Sequence, residues 1–210
     1  MCDSGDNKYG AFSILLALLM VSCVPEEAVF DGLNVSYPVL ESPVDNPENP
    51  AAAILGERLF FDPVLSLDSS ISCGSCHKPE LGFATNNRVT PGVDGVLGKR
   101  NSPSLMNIGF QPYFMREGGV PSLEMQVLVP LGDATEMAHN VVDAVRRLNR
   151  NTNYRNEFLS VYGDTASPYL LVRALANYER TIVDFSSPFD HFIQGDASAL
   201  SSEAIKGCLL

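Results

Sequence analysis

The chain lacks tryptophan and is poor in histidine and in basic residues. Its 210 residues include three His and 14 Lys and Arg against 25 Asp and Glu, which gives a formal net charge of −11. A protein this acidic has no basic stripe that could neutralise phosphates, so we expect no nucleic-acid partner. Since 45% of the side chains are hydrophobic and 19% are charged, the composition excludes a disordered chain and indicates one or two small globular domains.

Long apolar runs are also missing, with one short exception near the start. Ala11–Val21 is apolar but too short to cross a bilayer, and its length is typical of the hydrophobic region of a signal peptide. Met20-Val-Ser-Cys23 resembles a lipobox, whose cysteine is lipidated and becomes the new N-terminus. We therefore predict a signal peptide over residues 1–22, a lipid anchor at Cys23 and a periplasmic protein. An ordinary signal peptide with an incidental Cys23 is the alternative.

Helices are predicted in two parts of the chain, one directly after residue 49 and the other from Ser122 onwards. Residues 23–49 are rich in proline and have no apolar periodicity, which indicates a tether. Asn49-Pro50 begins a helix that Asp62-Pro63 ends. Residues 62–120 form a loop-rich segment too long for a plain connection, so something other than side-chain packing should organise it. From Ser122 onwards apolar residues recur at helical spacing, and we predict an all-α fold with long loops.

The loop-rich segment contains one motif of distinctive chemistry, Cys73-Gly-Ser-Cys76-His77. In this pattern the two thiols add across the vinyl groups of a haem, and the histidine binds the iron as its proximal ligand. A thioredoxin-like redox pair would need a βαβ context, and a zinc site would need two further Cys or His nearby. A disulfide between Cys73 and Cys76 would leave His77 unexplained. We therefore predict covalent attachment of haem c, which agrees with export because this attachment takes place outside the cytoplasm.

Five stretches resemble the bacterial di-haem cytochrome c peroxidases: Leu55–Ser66, Ile71–His77, Pro91–Gly95, Arg100–Asn107 and Ser187–Asp190. The resemblance implies two cytochrome c-like domains with one haem each. The N-terminal haem reduces hydrogen peroxide, and the other relays electrons from a small donor cytochrome or cupredoxin. On this basis residues 50–200 form the peroxidatic domain and residues 201–210 the truncated start of the second haem domain.

The resemblance also implies roles for single residues. Glu136 is the candidate acid–base group that moves the peroxide proton, and Gln126 is the candidate hydrogen-bonding partner of peroxide. Asn101 matches a family position that gives a side-chain oxygen to a calcium ion between the two domains. Several family members use a histidine in the loop after the haem motif as a removable sixth ligand. Residues 92–99 contain none, which implies an iron open to peroxide without activation.

Two features depart from the family pattern. Where the family has Trp-Asp-Gly-Arg, this chain reads Arg116-Glu-Gly-Gly119, so the electron route between the haems is not defined. The sequence reaches Leu210 before a second Cys-x-x-Cys-His, and Cys208 is not part of one. We therefore expect no relay haem in this chain, which is a fragment or the product of a truncated gene. His139 is expected to be a capped or surface residue, and His191 is left unassigned.

The leading functional prediction is a cytochrome c peroxidase that reduces hydrogen peroxide to water, with a homodimer as one candidate assembly. Two alternatives stay open. A mono-haem electron carrier would need a strong sixth ligand, for which Met106, Met115 and Met125 are candidates by residue type alone. A di-haem enzyme that uses peroxide to modify a partner protein would need no change in the residues named above.

Overall fold

The computed structural model describes residues 36–208, so the predicted signal peptide and the candidate lipid anchor Cys23 lie outside the described residues. Within that range the helices are α1 Pro50–Phe61, α2 Cys73–Cys76, α3 Leu123–Gln126, α4 Leu128–Gly132, α5 Val141–Arg150, α6 Thr152–Tyr162, α7 Pro168–Glu179, α8 Pro188–Ile193 and α9 Ser202–Cys208. Pairing of the β type is limited there to isolated bridges. The prediction of an all-α fold is confirmed. None of the helices between residues 36 and 208 has the length and apolarity needed to cross a membrane.

The segment between α1 and α3 is mostly loop. Short 3-10 turns interrupt it at Pro63–Leu65, Pro79–Leu81, Val93–Gly95 and Ile108–Phe110. Isolated bridges close three small loops within it, and they pair Lys78 with Ala84, Pro91 with Leu97 and Phe114 with Val120. Local turns and single bridges therefore take the place of regular elements in this region.

Helix α1 begins and ends where its sequence predicts. The side chain of Asn49 accepts hydrogen bonds from the backbone N–H groups of Ala51 and Ala52, and Pro50 occupies the first turn, where its missing N–H costs nothing. At the other end Asp62 adopts an extended conformation and caps the next turn by accepting from the Val64 N–H. Both ends are thus fixed by residues adjacent in sequence.

The core is centred on the packing of α1 against α7. Leu59 and Phe60 of the first helix and Leu171 and Leu175 of the second are almost completely buried. Gly56 makes the close approach possible, because a Cβ at this position would lie 2.0 Å from the carbonyl oxygen of Ala174. Burial of one such side chain contributes roughly 1.5–3 kcal/mol relative to its exposure.

The described residues form two compact units. One comprises residues 36–38 and 185–208, in which the ring of Tyr37 stacks on that of Phe185 with centroids 4.3 Å apart. The other comprises Val39–Asp184 and includes the core described above. All the haem and pocket residues proposed from the sequence lie in this second unit. The predicted boundary between residues 200 and 201 stays a prediction.

Candidate haem pocket

The Cys-x-x-Cys-His motif forms a single helical turn with its histidine at the end. Ser72 caps the turn, because its N–H donates to Ser75 Oγ at 3.0 Å and its carbonyl accepts from the Ser75 N–H at 3.1 Å. The His77 N–H then donates to the Cys73 carbonyl at 2.9 Å. Both cysteines are free thiols. Because Cys73–Cys76 is a single helical turn, the two thiols lie one turn apart, the spacing that two haem vinyl groups require.

His77 has one nitrogen committed to the protein and one available. Its Nδ1 lies 3.0 Å from the carbonyl oxygen of Phe83 and 3.1 Å from that of Pro103. Because a carbonyl can only accept, Nδ1 carries the proton and Nε2 keeps its lone pair. Burial lowers the pKa of His77 despite these two hydrogen bonds, which favours the neutral ring. This is the tautomer and orientation that a metal-ligating histidine needs.

The pKa values of the two thiols and the residues around them argue against a redox pair and a zinc site. Burial, together with the charges of Glu179 and Cys76, raises the pKa of Cys73 to about 12. The pKa of Cys76 is also raised, chiefly by burial and then by Glu136. A catalytic redox thiol requires the opposite shift. In residues 36–208 no three His, Cys, Asp or Glu side chains are grouped to hold a metal ion, so the ligand set does not suit structural zinc either. The residues present fit covalently attached haem.

Glu136 lies in a tightly turned segment that follows α4. Its N–H donates to the Asp133 carbonyl at 3.0 Å, and its own carbonyl accepts from the Val93 N–H at 2.9 Å. The second contact needs Gly92, because a Cβ there would lie 2.5 Å from the Glu136 carbonyl oxygen. Although Glu136 is exposed, partial desolvation of its carboxyl and the nearby charge of Asp133 raise its pKa.

The Glu136 carboxyl acts electrostatically on the haem motif. Its negative charge contributes to the raised pKa of both Cys73 and Cys76. The fold thus brings a carboxyl that follows α4 within electrostatic reach of thiols on α2. The acid–base role of Glu136 requires a carboxyl over the open face of the haem, and it stays a prediction.

Gln126 is the last residue of α3 and is half-buried. Its Nε2 lies 4.0 Å from the sulfur of Met115. Met115 has φ 62°, a left-handed conformation uncommon for a residue with a side chain. The amide of Gln126 therefore adjoins a thioether, which bears on the electron-carrier alternative.

The side-chain nitrogen of Asn101 makes a hydrogen bond within the protein, and its side-chain oxygen is the atom that could bind a cation. Its Nδ2 donates to the Thr85 carbonyl at 3.0 Å, so Oδ1 is the atom that faces away from this bond. A neutral side-chain oxygen suits calcium, but calcium takes six or more oxygen ligands. The calcium role of Asn101 stays a prediction.

Sequence reasoning missed two buried polar side chains. His139 was expected to be capped or at the surface, but it is only 5% exposed, and its Nδ1 lies 2.8 Å from the Leu65 carbonyl. Glu179 is also buried, and its Oε2 has no hydrogen-bond partner. Burial raises the pKa of Glu179 to about 8. The only signal for Glu179 in the sequence was an acid at the end of the otherwise apolar face of α7.

Comparison with known proteins matches the chain to one protein family. The family model for di-haem cytochrome c peroxidases matches residues 50–198. Methylamine utilization protein MauG of Methylophilus methylotrophus is 32% identical over 80% of this chain and 50% of its own length. Cytochrome c peroxidase Ccp of Escherichia coli is also 32% identical, over 81% of this chain and 37% of its own length.

Similarity to solved structures extends the agreement to the fold. The crystal structure of a MauG-like protein associated with microbial copper homeostasis matches with a TM-score of 0.73 and 30% identity, over 82% of this chain and 51% of the other. The diheme peroxidase BthA of Burkholderia thailandensis matches with a TM-score of 0.70 and 26% identity, over 83% and 49%. The chain spans half the length, or less, of the curated relatives described here.

Proposed function

The chain belongs to the di-haem cytochrome c peroxidase family, and from this premise we propose that it reduces hydrogen peroxide at one covalently bound haem c. Cys73 and Cys76 would form the thioether bonds, and His77 would be the proximal ligand. The iron, when bound, supplies the site at which peroxide is cleaved and passes on the two electrons that the reaction consumes. With two protons, one hydrogen peroxide gives two waters.

One observation carries the proposal, namely the hydrogen bonding of His77. Two backbone carbonyls, from Phe83 and Pro103, accept from the same ring nitrogen. They fix the plane of the imidazole and leave Nε2 as the only nitrogen that can bind iron. Hydrogen bonding at Nδ1 also raises the basicity of the ligand.

Glu136 would act as the acid–base group. A carboxylate can take the proton from the peroxide oxygen that remains and return it to the oxygen that departs. Its raised pKa makes the carboxylate a stronger base, which favours removal of the proton from peroxide. Gln126 would orient peroxide through its amide, and Asn101 Oδ1 would be a calcium ligand.

The remaining parts of the proposal concern the setting of the reaction. We take the protein to be periplasmic, with a lipid anchor at Cys23, and its electrons to come from a small donor cytochrome or cupredoxin. The strongly acidic composition, with a net charge of −11, would favour a donor with a basic docking surface. A homodimer is the candidate assembly.

The electron-carrier alternative now has a preferred ligand. Of the three methionines considered from the sequence, Met115 is the one whose sulfur adjoins Gln126. If that sulfur bound the iron, the spectrum would be low-spin and six-coordinate. The alternative in which a partner protein is oxidised stays open, because the pocket residues bear on peroxide and not on the destination of the oxidising equivalents.

The first test concerns haem attachment. Protein produced with the c-type maturation machinery should keep its colour through denaturation and extraction with acid acetone. Replacement of Cys73 and Cys76 by Ala should release the colour. Cys208→Ala is the matched control, because this cysteine is also free but exposed, and it should behave as the wild type. Extractable haem in the wild type would refute the proposal.

A further inference from the structure

His139 makes a buried hydrogen bond to the loop that precedes the haem motif. Its Nδ1 lies 2.8 Å from the carbonyl oxygen of Leu65, and both residues are almost fully buried, at 5% and 2% exposure. Because the carbonyl can only accept, His139 donates from Nδ1. A buried carbonyl left without its donor is destabilising, because it has lost its bond to water and gained none in return.

A second bond joins the same two segments. The Leu67 N–H donates to the Met137 carbonyl at 3.0 Å. Between the two contact residues, Ala138 has φ 53°, a left-handed conformation that is unfavourable for a residue with a Cβ. The bonds on either side of Ala138 offset that cost and hold the turn in place.

Arg147 binds the same loop through a third set of hydrogen bonds. From α5 its guanidinium donates to the carbonyls of Val64, Leu67 and Ser66 at 2.9, 2.7 and 2.6 Å. Ser66 Oγ in turn accepts from the Ile71 N–H at 3.3 Å. The loop that His139 contacts is therefore connected by hydrogen bonds to a residue two positions before Cys73.

Glu136 directly precedes the residues that bond to this loop. Its carbonyl is bonded to Val93 on one side, and the following residue, Met137, is bonded to Leu67 on the other. The backbone of Glu136 is thus held between two loops. One of them follows the haem motif and the other precedes it.

We propose that His139 is a positioning residue: its bond to Leu65 fixes the Glu136–Met137 segment relative to the loop that leads into the haem motif. The inference rests on the assignment of Glu136 as the acid–base group. This role requires no contact of His139 with peroxide or haem. It acts by setting where the Glu136 carboxyl stands.

The test compares two substitutions in the haem-loaded protein. His139→Leu keeps a side chain of similar bulk but removes the donor, and we expect it to slow the peroxide reaction by roughly 10- to 100-fold, the scale of a displacement of about 1 Å. His139→Asn places an amide N–H where Nδ1 stood and should restore most of the rate. His191→Leu is the control, because that histidine is exposed, and it should have no effect.

The pH profile of cyanide association gives a readout that a merely structural role would not move. Hydrogen cyanide must lose a proton on binding, so a step in the profile reports the Glu136 carboxyl. His139→Leu should shift or flatten that step with haem content and the Soret band unchanged, and His139→Asn should keep it. An unaltered profile in His139→Leu would overturn the proposal.

A double-mutant comparison separates this proposal from the proposed function. If His139 acts through Glu136, His139→Leu should add no further slowing in a Glu136→Gln background. Equal slowing in both backgrounds would overturn the positioning role and leave Glu136 in place. No effect of Glu136→Gln alone would overturn the acid–base role of Glu136 and, with it, the positioning role of His139, and would leave haem attachment at Cys73 and Cys76 untouched.

A variant elsewhere keeps the proposal testable if His139→Leu yields no folded protein. Arg147→Gln weakens the attachment of the same loop to α5. It should shift or flatten the step in the cyanide profile, as His139→Leu does. A normal profile in a folded Arg147→Gln protein would overturn the proposal.

Discussion

Replacing Gly92 by Ala should disturb the candidate pocket through the backbone alone. The added Cβ would lie 2.3 Å from the Thr135 carbonyl oxygen and 2.5 Å from that of Glu136. Ordinary van der Waals contacts of a Cβ begin at 3.4 Å. Both contacting atoms belong to the backbone and cannot rotate away, so either the loop at Gly92 or the turn at Glu136 must move by about 1 Å.

The size of the effect follows from three contributions. Overpacking of this kind costs about 1–3 kcal/mol. Weakening the bond from the Val93 N–H to the Glu136 carbonyl, now 2.9 Å, costs about 0.5–1.5 kcal/mol. The reduced freedom of the unfolded chain returns about 0.4–1 kcal/mol. The free energy of unfolding should therefore fall by roughly 0.5–4 kcal/mol.

Denaturant unfolding of the haem-loaded protein measures that loss, and stopped-flow mixing with peroxide measures the displacement of Glu136. Gly132→Ala is the matched control, because nothing lies within 4 Å of a Cβ built there and the position is helical. That variant should be as stable as the wild type or slightly more stable. Wild-type stability together with a wild-type peroxide rate in Gly92→Ala would refute the described contact between the two segments.

Three further predictions concern the chemistry and pH dependence. Glu136→Gln should retain haem and cyanide binding but slow the peroxide reaction by roughly 10²–10⁴-fold; an unchanged rate would remove Glu136 from the mechanism. Since residues 92–99 contain no histidine, the purified ferric protein should be high-spin or water-ligated and bind cyanide without prior reduction, and a bis-histidine spectrum would contradict this. Burial raises the pKa of Glu179 from 4.5 to about 8, so the folded protein retains a proton that the unfolded chain releases, and the free energy of unfolding should fall as pH rises through that interval. Glu179→Gln should remove this fall, which denaturant titrations near both ends of the interval would detect as a smaller pH dependence than in the wild type.

The parts of the fold that sequence predicted are those set by neighbouring residues. The start of α1 at Pro50 and its end at Asp62 depend on caps within three residues. The haem motif is likewise local, because one helical turn contains both thiols and ends at the histidine. Such features are encoded where they occur, and the sequence predicts them directly.

The parts that sequence did not predict depend on distant partners. Burial of His139 is set by a carbonyl 74 residues away in the chain, and the need for glycine at position 92 arises from the backbone at Thr135 and Glu136. Neither residue lies in a periodic pattern that would indicate such a contact. The loop-rich segment similarly gives turn signals but no indication of which turns meet.

The packing of α1 on α7 has a consequence for the order in which the chain folds. The Asn49 N–H donates to Asn177 Oδ1 at 3.0 Å across 128 residues of sequence, so the two halves of the core are synthesised far apart in time. Contacts of such long range are slow to form, because the entropy of closing the intervening loop opposes them. The haem motif lies within that loop. We therefore expect Cys73 and Cys76 to remain accessible to the attachment machinery until α7 arrives, and their burial to be among the last events of folding.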